Sequence, residues 1–159
     1  MRADEGALLR AVRLRALSDS PHAFAATLAE EQALSEPEWT ARAAAAASGG
    51  AEIIVLAIGH TGHGLGMAGG RAREEPGVIS LWGMWVDPAA RRGRLGARLV
   101  DAVGDWARTA GAHTFRLGVM DDAPAAVGFY ERVGFARLEG RRPLTRDPSR
   151  TWHQMVRSL

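Results

Sequence analysis

The apolar period of this chain changes at Gly49-Gly50, and that change limits the folds open to it. Before it, Leu8, Leu9, Val12, Leu14 and Leu17 recur at approximately helical spacing, which predicts a helix over 5–18. Ser20-Pro21 breaks the run. Phe24, Leu28 and Gln32 then share the face of a short helix with Glu30 and Glu31 at its end. "SEPEWTARAAAAAS" is a further helical piece, capped by Ser35 with Pro37 in its first turn. After the glycines, "EIIVLAIG" (52–59) is β-branched and apolar, hence a strand. "HTGHG" is a turn, and "LGMAGGRAR" (65–73) returns as the second arm of a hairpin. "GVISLWGMWVDP" (77–88) is a third strand, ended by Pro88.

Beyond it, Leu95, Leu99, Val103, Trp106 and Ala110 recur at helical spacing until Gly111 stops them. "HTFRLGVM" (113–120) reads as a strand and "APAAVGFYERV" (123–133) as a helix ended by Gly134. "FARLEG" (135–140) and "TWHQMVRS" (151–158) read as two last strands, joined by a Pro- and Arg-rich loop. The order α-α-β-β-β-α-β-α-β-β predicts an α/β fold: one mixed central sheet flanked by helices on both faces.

The 159 residues suit one domain, 1–159, with one sizeable core. No apolar run approaches the ~20 residues of a membrane span. The amphipathic start "MRADEGALLRAVRLRAL" lacks the apolar region of a secretory signal, so the expected location is cytoplasmic. All 20 basic residues are arginine, yet the net charge is only +2 because 18 acids are interleaved. That balance argues against a nucleic-acid partner, and the hydropathy argues against a membrane one. Cysteine is absent, which excludes thiolate metal sites and a cysteine acyl-enzyme on this chain.

Two motifs are decoys. "GLGMAG" (64–69) matches G-x-G-x-x-G, but no helix follows it, so it reads as a strand lacking bulky side chains on one side. His60 and His63 stand in a turn with no carboxylate or cysteine beside them, so no metal is expected.

"DPAARRGRLGARLV" (87–100) is different. Arg91, Arg92, Arg94 and Arg98 crowd the start of a helix, where the peptide dipoles already place positive charge. Each exposed cation there costs about 0.3–1 kcal/mol. Backbone N–H groups at a strand–helix junction bind phosphates, and Arg–phosphate contacts would turn the cost into a gain. A solvated basic face, neutralised by Asp87, Asp101 and Asp105, is the other reading.

The order of motifs here resembles the GNAT superfamily of acetyl-CoA-dependent N-acetyltransferases. The family pattern is a strand ending V-x-P, then [QR]-x-x-G-x-[GA] opening a helix, then an Asn and a helix with F-Y-E-x-x-G-F. This chain has Val86-Asp87-Pro88, "RRGRLG" (91–96) and "FYERVGF" (129–135). The resemblance spans nearly the whole chain and implies a GNAT-like sheet whose first strand is short or absent. It departs at Arg94, where the motif has glycine, and at Ala123, where the family often has asparagine. Asp121 and Asp122 are the candidates to replace that amide.

The resemblance implies acetyl-CoA as cosubstrate, no metal, and direct attack by a primary amine in a ternary complex. The acceptor is a small molecule or a peptide or protein amine. The alternative it leaves is a catalytically degenerate CoA-binding module. Members commonly dimerise, so a homodimer is also an expectation. Met84, Trp85 and Val86 fall where backbone groups would hold the pantetheine arm and the oxyanion. Arg91, Arg92, Gly93, Arg94, Leu95, Gly96 and Ala97 fall in the phosphate cradle, and Ala123 faces the cofactor.

Tyr130 falls at the general-acid position. A thiol ionises near pH ~8.5 and a tyrosine near ~10, so full proton transfer to the thiolate is uphill by roughly 2 kcal/mol. Hydrogen bonding to the developing charge would then share the task. Glu30 is the candidate water-mediated base, against a solvated helix end. Trp39, Trp82 and Trp85 either shape the acceptor pocket or are core. His153, Arg141, Arg142 and Arg146 are weaker candidates to face substrate.

Overall fold

The helical and strand periods take regular form in a computed structural model, which describes residues 1–145 and 147–159. Arg146 lies outside the described residues. Helix α1 (Gly6–Asp19) buries Leu9, Val12, Ala16 and Leu17 on one stripe. Helices α2 (Leu28–Gln32) and α3 (Glu36–Ala47) both open on capping boxes, Thr27 with Glu30 and Ser35 with Glu38. Strands β1 (Glu52–Ile58), β2 (Gly64–Ala72) and β3 (Val78–Val86) form an antiparallel meander. Helix α4 (Leu95–Thr109) then crosses to β4 (Thr114–Met120), which pairs parallel to β3. Helix α5 (Pro124–Arg132) leads to β5 (Ala136–Arg137), β6 (Arg142–Leu144) and β7 (Asp147–Ser158).

The sheet runs β1-β2-β3-β4-β7-β5, with β6 also paired to β7. Residues 1–5 contribute no strand ahead of α1. One face is covered by α1 and α3 around Leu9, Leu17, Trp39 and Met67. The other carries α4 and α5 around Leu99, Val103, Phe115, Phe135 and Met155. Burying side chains of this size contributes roughly 1.5–3 kcal/mol each.

The glycines of β2 serve both faces, where the sequence suggested one. A side-chain carbon at Gly64 would lie 2.1 Å from Val12 of α1, and one at Gly70 would lie 2.5 Å from Val103 of α4. The strand is thin because helices press on it from both sides. The predicted loop between the last strands is also corrected. Residues 142–144 pair with the start of β7, which begins at Asp147. Pro143 and Pro148 argued against strands there, but β6 is an edge strand and Pro148 lies near the turn, where a missing N–H is tolerated. In the other direction, the predicted strand 135–140 narrows to two residues.

Candidate active site

The site grows from a failure of pairing in β3. Its parallel ladder to β4 covers only Val78–Ser80 opposite Thr114–Arg116. Beyond Ser80 the two strands part, leaving one edge of β3 without a partner. On the opposite edge the register with β2 slips, with Trp82 opposite Gly69 and Trp85 opposite Met67. Gly83 and Met84 therefore bulge against the single residue Ala68. Gly83 takes φ +62, a left-handed conformation suited to glycine.

Two cavities meet at this bulge. A smaller one of about 120 Å³ runs between the parted strands and is lined by Gly83, Met84, Leu117, Met120, Ala123 and Tyr130. A larger one of about 570 Å³ lies against α1, α2 and α3, lined by Arg13, Glu31, Trp39, Arg42, Arg71 and Trp82 among others. Ala23, Phe24, Leu81, Trp82, Gly83 and Gly118 line both. Met84 therefore lines the smaller cavity. The Trp85 ring does not: it is buried in the core, and its indole donates to Asp19 at 3.0 Å. The Val86 carbonyl accepts from Arg91 Nε at 3.0 Å.

The arginine turn splits into one structural and three unpaired residues. Arg91 is tied to Val86 and ion-paired with Asp19, so it fastens the turn to α1. Arg92, Arg94 and Arg98 are exposed, and among the described residues their guanidiniums have no recorded partner. Arg94 answers the glycine question directly. Its φ of +60 makes it the single non-glycine in the left-handed region among the described residues. An L-residue pays roughly 1–2 kcal/mol there, so the chain keeps the glycine-like backbone and adds a cation. Helix α4 opens with no side-chain cap and no acid in its first turn. A side-chain carbon at Gly96 would come within 3.1 Å of Phe129, so that glycine lets α4 approach α5.

Tyr130 is half-buried, edge-on to Phe129 and Phe135 at 5.2 and 5.8 Å between ring centroids. Burial pushes its phenol well above the usual tyrosine range, so it stays protonated at neutral pH. Ala123 lines the same groove. Both aspartates considered in place of the amide already have partners. Asp121 accepts from Thr151 at 2.5 Å and His153 at 2.6 Å, and Asp122 accepts from Nε and Nη2 of Arg150 at 2.9 and 3.0 Å. These contacts engage both carboxylates with β7.

Glu30 is exposed and accepts from the Thr27 N–H and hydroxyl, while its neighbour Glu31 lines the larger cavity. His153 is buried against Asp121, Arg141 lies 3.6 Å from Asp121, and Arg142 stacks on Trp152. None of the three lines either cavity. His63 contacts Arg15, and among the described residues no cluster of His, Asp and Glu is arranged to hold a metal. No helix of the described residues is long and apolar enough to cross a membrane.

A family model for the acetyltransferase (GNAT) family matches residues 14–135, from within α1 to the residue before β5. The chain belongs to the GNAT acetyltransferase family. A curated relative, the mycothiol acetyltransferase of Salinispora tropica, is 32% identical over 139 residues, covering 85% of this chain. The chain spans only 42% of that relative's length. Among solved structures, a GNAT acetyltransferase from Streptococcus pneumoniae superposes with a TM-score of 0.83 at 20% identity, covering 100% of this chain and 96% of its own. An acetyltransferase from Salmonella typhimurium, described with its cofactor acetyl-CoA, gives 0.78 at 18% identity, covering 100% and 91%. At such identities these two show the shared fold.

Within this GNAT chain, sequence reasoning missed several lining residues of the site, Gly83 and Arg13 among them. Gly83 carried a signal, since an isolated glycine inside a strand marks a bulge. Arg13 carried one as well: it is four residues from both Leu9 and Leu17, and so sits in the apolar stripe of α1.

Proposed function

We propose that residues 1–159 act as one acetyltransferase domain that transfers the acetyl group of acetyl-CoA to a primary amine by direct attack. The observation that carries this reading is the meeting of two cavities at the Gly83 bulge. A thioester in the groove would face an amine in the larger cavity across Gly83, which has no side chain of its own to intervene. The unpaired edge of β3 from Leu81 to Val86 would pair with the pantetheine arm as an added strand. Backbone N–H groups at Met84, Trp85 and Val86 would receive the arm and the oxyanion. Arg92, Arg94 and the free N–H groups of Leu95, Gly96 and Ala97 would hold the pyrophosphate. Arg91 and Gly93 would shape the turn, and Ala123 would contact the arm without an amide.

The neutral amine would attack the thioester carbonyl and the C–S bond would break. Tyr130 would donate a hydrogen bond to the leaving sulfur. Its raised pKa makes full proton transfer more uphill than the ~2 kcal/mol of an unperturbed tyrosine. The proton released from nitrogen would pass to water, with Glu30 as the proposed acceptor. Glu30→Gln tests that role while preserving the capping box, which accepts either residue.

The deciding experiment is release of CoA from acetyl-CoA over a panel of amines, followed with a thiol reagent. The chain's lack of cysteine removes its own background. A second reading, a CoA-binding module without catalysis, is favoured by one observation: no described side chain restores the amide absent at Ala123. It would show as acetyl-CoA binding with no release.

A further inference from the structure

Three arginines line the larger cavity, and each lies over an aromatic ring. Arg13 stacks on Phe24 at 4.8 Å, Arg42 on Trp39 at 5.1 Å and Arg71 on Trp82 at 5.2 Å. Stacking fixes the guanidinium plane and leaves its edge donors for hydrogen bonding. Two carboxylates share the cavity wall with them. Glu31 is buried between Arg13 at 3.4 Å and Arg42 at 2.7 Å, and Glu52 accepts from Arg71 Nε at 2.7 Å. The Arg13–Glu31–Arg42 cluster thus sets two cations against one anion, with Arg13 and Glu31 buried and Arg42 partly exposed. Burial lowers the pKa of Arg13 despite its pairing with Glu31.

The donors are also in excess. Arg13 Nη1 has no hydrogen-bond partner among the described residues, nor do the indole nitrogens of Trp39 and Trp82. Arg42 uses only Nη1 and Arg71 only Nε in their ion pairs. The cluster adjoins the reaction centre, since Arg13 Nη1 lies 3.8 Å from where a side-chain carbon at Gly83 would sit.

We propose that the acceptor is a small amino carboxylate, an amino acid or a close analogue. Its carboxylate would complete the arginine cluster, and its amino group, one carbon away, would reach the thioester at Gly83. This rests on the acetyltransferase reading and names its substrate class. A cavity of about 570 Å³ is of small-molecule size. Its excess positive charge disfavours acceptors that carry only cations.

The test is a panel of L-amino acids, each set against its own carboxamide. Turnover is read by CoA release, and binding by the shift in melting temperature of the CoA-loaded protein. The amide's amine is the less basic, so a preference for the carboxylate cannot come from amine ionisation. We expect at least a tenfold higher kcat/KM for the carboxylates, about 1.4 kcal/mol. Arg42→Gln, a partly exposed position, should bring that ratio towards one by raising KM. Equal or better turnover of the amides, or a ratio untouched by Arg42→Gln, would overturn the proposal. If neither series releases CoA, the wider amine panel still decides the acetyltransferase reading, and the melting data decide this one. Shifts given by the carboxylates and not by the amides support it, and equal or absent shifts overturn it.

Discussion

The indole N–H of Trp85 donates to Asp19 at 3.0 Å, joining the end of α1 to the end of β3. Arg91 binds the same carboxylate, so one acid ties both β3 and the arginine turn to α1. Desolvation opposes its ionisation, but hydrogen bonds from Trp85, Ser20 and Arg91 prevail and hold its pKa below the usual carboxylate range. A depressed carboxylate contributes stability above its unfolded pKa, about 4, and loses it as pH falls through the folded value. Asp19→Asn should therefore cost about 1–2 kcal/mol at pH 7 and clearly less at pH 3. Urea titration of both proteins at both pH values measures this. Asp121, also depressed, is common to both and cancels.

Arg94 pits strain against charge. Arg94→Gly should raise stability by about 1 kcal/mol, because the left-handed backbone is kept without its penalty. Arg94→Ala should not, since alanine pays the same penalty. Both should weaken acetyl-CoA several-fold and flatten its salt dependence, which isothermal titration at two ionic strengths would read. Unchanged affinity in both variants would remove Arg94 from the cradle.

Tyr130→Phe should lower kcat by tenfold or more, with little change in the KM for acetyl-CoA, because the hydrogen bond is made to sulfur as the C–S bond breaks. The raised phenol pKa has its own signature. Ionisation of Tyr130 should cause no fall in kcat below about pH 10, the unperturbed value. Its contribution to stability should likewise decline only above that pH. An alkaline limb near pH 9 that disappears in Tyr130→Phe would contradict the assignment.

Gly83→Ala should cost about 1–3 kcal/mol in melting or urea experiments, because alanine is strained at φ +62. It should also place a methyl where the two cavities meet. Turnover should drop far more than stability does, with the KM for the amine rising. Full activity in a destabilised variant would mean that the two cavities do not communicate there.

The layers were legible because their periods are strong. Leu95, Leu99, Val103 and Trp106 of α4 announce a helix facing a core, and "EIIVLAIG" can be little else than a strand. The arginine turn stood out because four cations at a helix start contradict the dipole. The Gly83 bulge was hidden inside an apolar run that reads as one continuous strand, and bulges arise from pairing partners far off in sequence. Arg13 was hidden because an arginine between leucines reads as the polar face. Its spacing from Leu9 and Leu17 puts it in the apolar stripe, but only the positions of α2 and α3 show what it faces. The β6–β7 hairpin escaped notice because its prolines tolerate edge positions that sequence cannot identify.

The central claim is that acetyl-CoA in the groove meets an amine across Gly83. The most direct measurement is the rate of CoA release from acetyl-CoA by the unmodified protein, with and without amines from the panel. We expect release that saturates in both substrates and depends on the amine. Acetyl-CoA that binds firmly yet yields no amine-dependent CoA across the panel would contradict it.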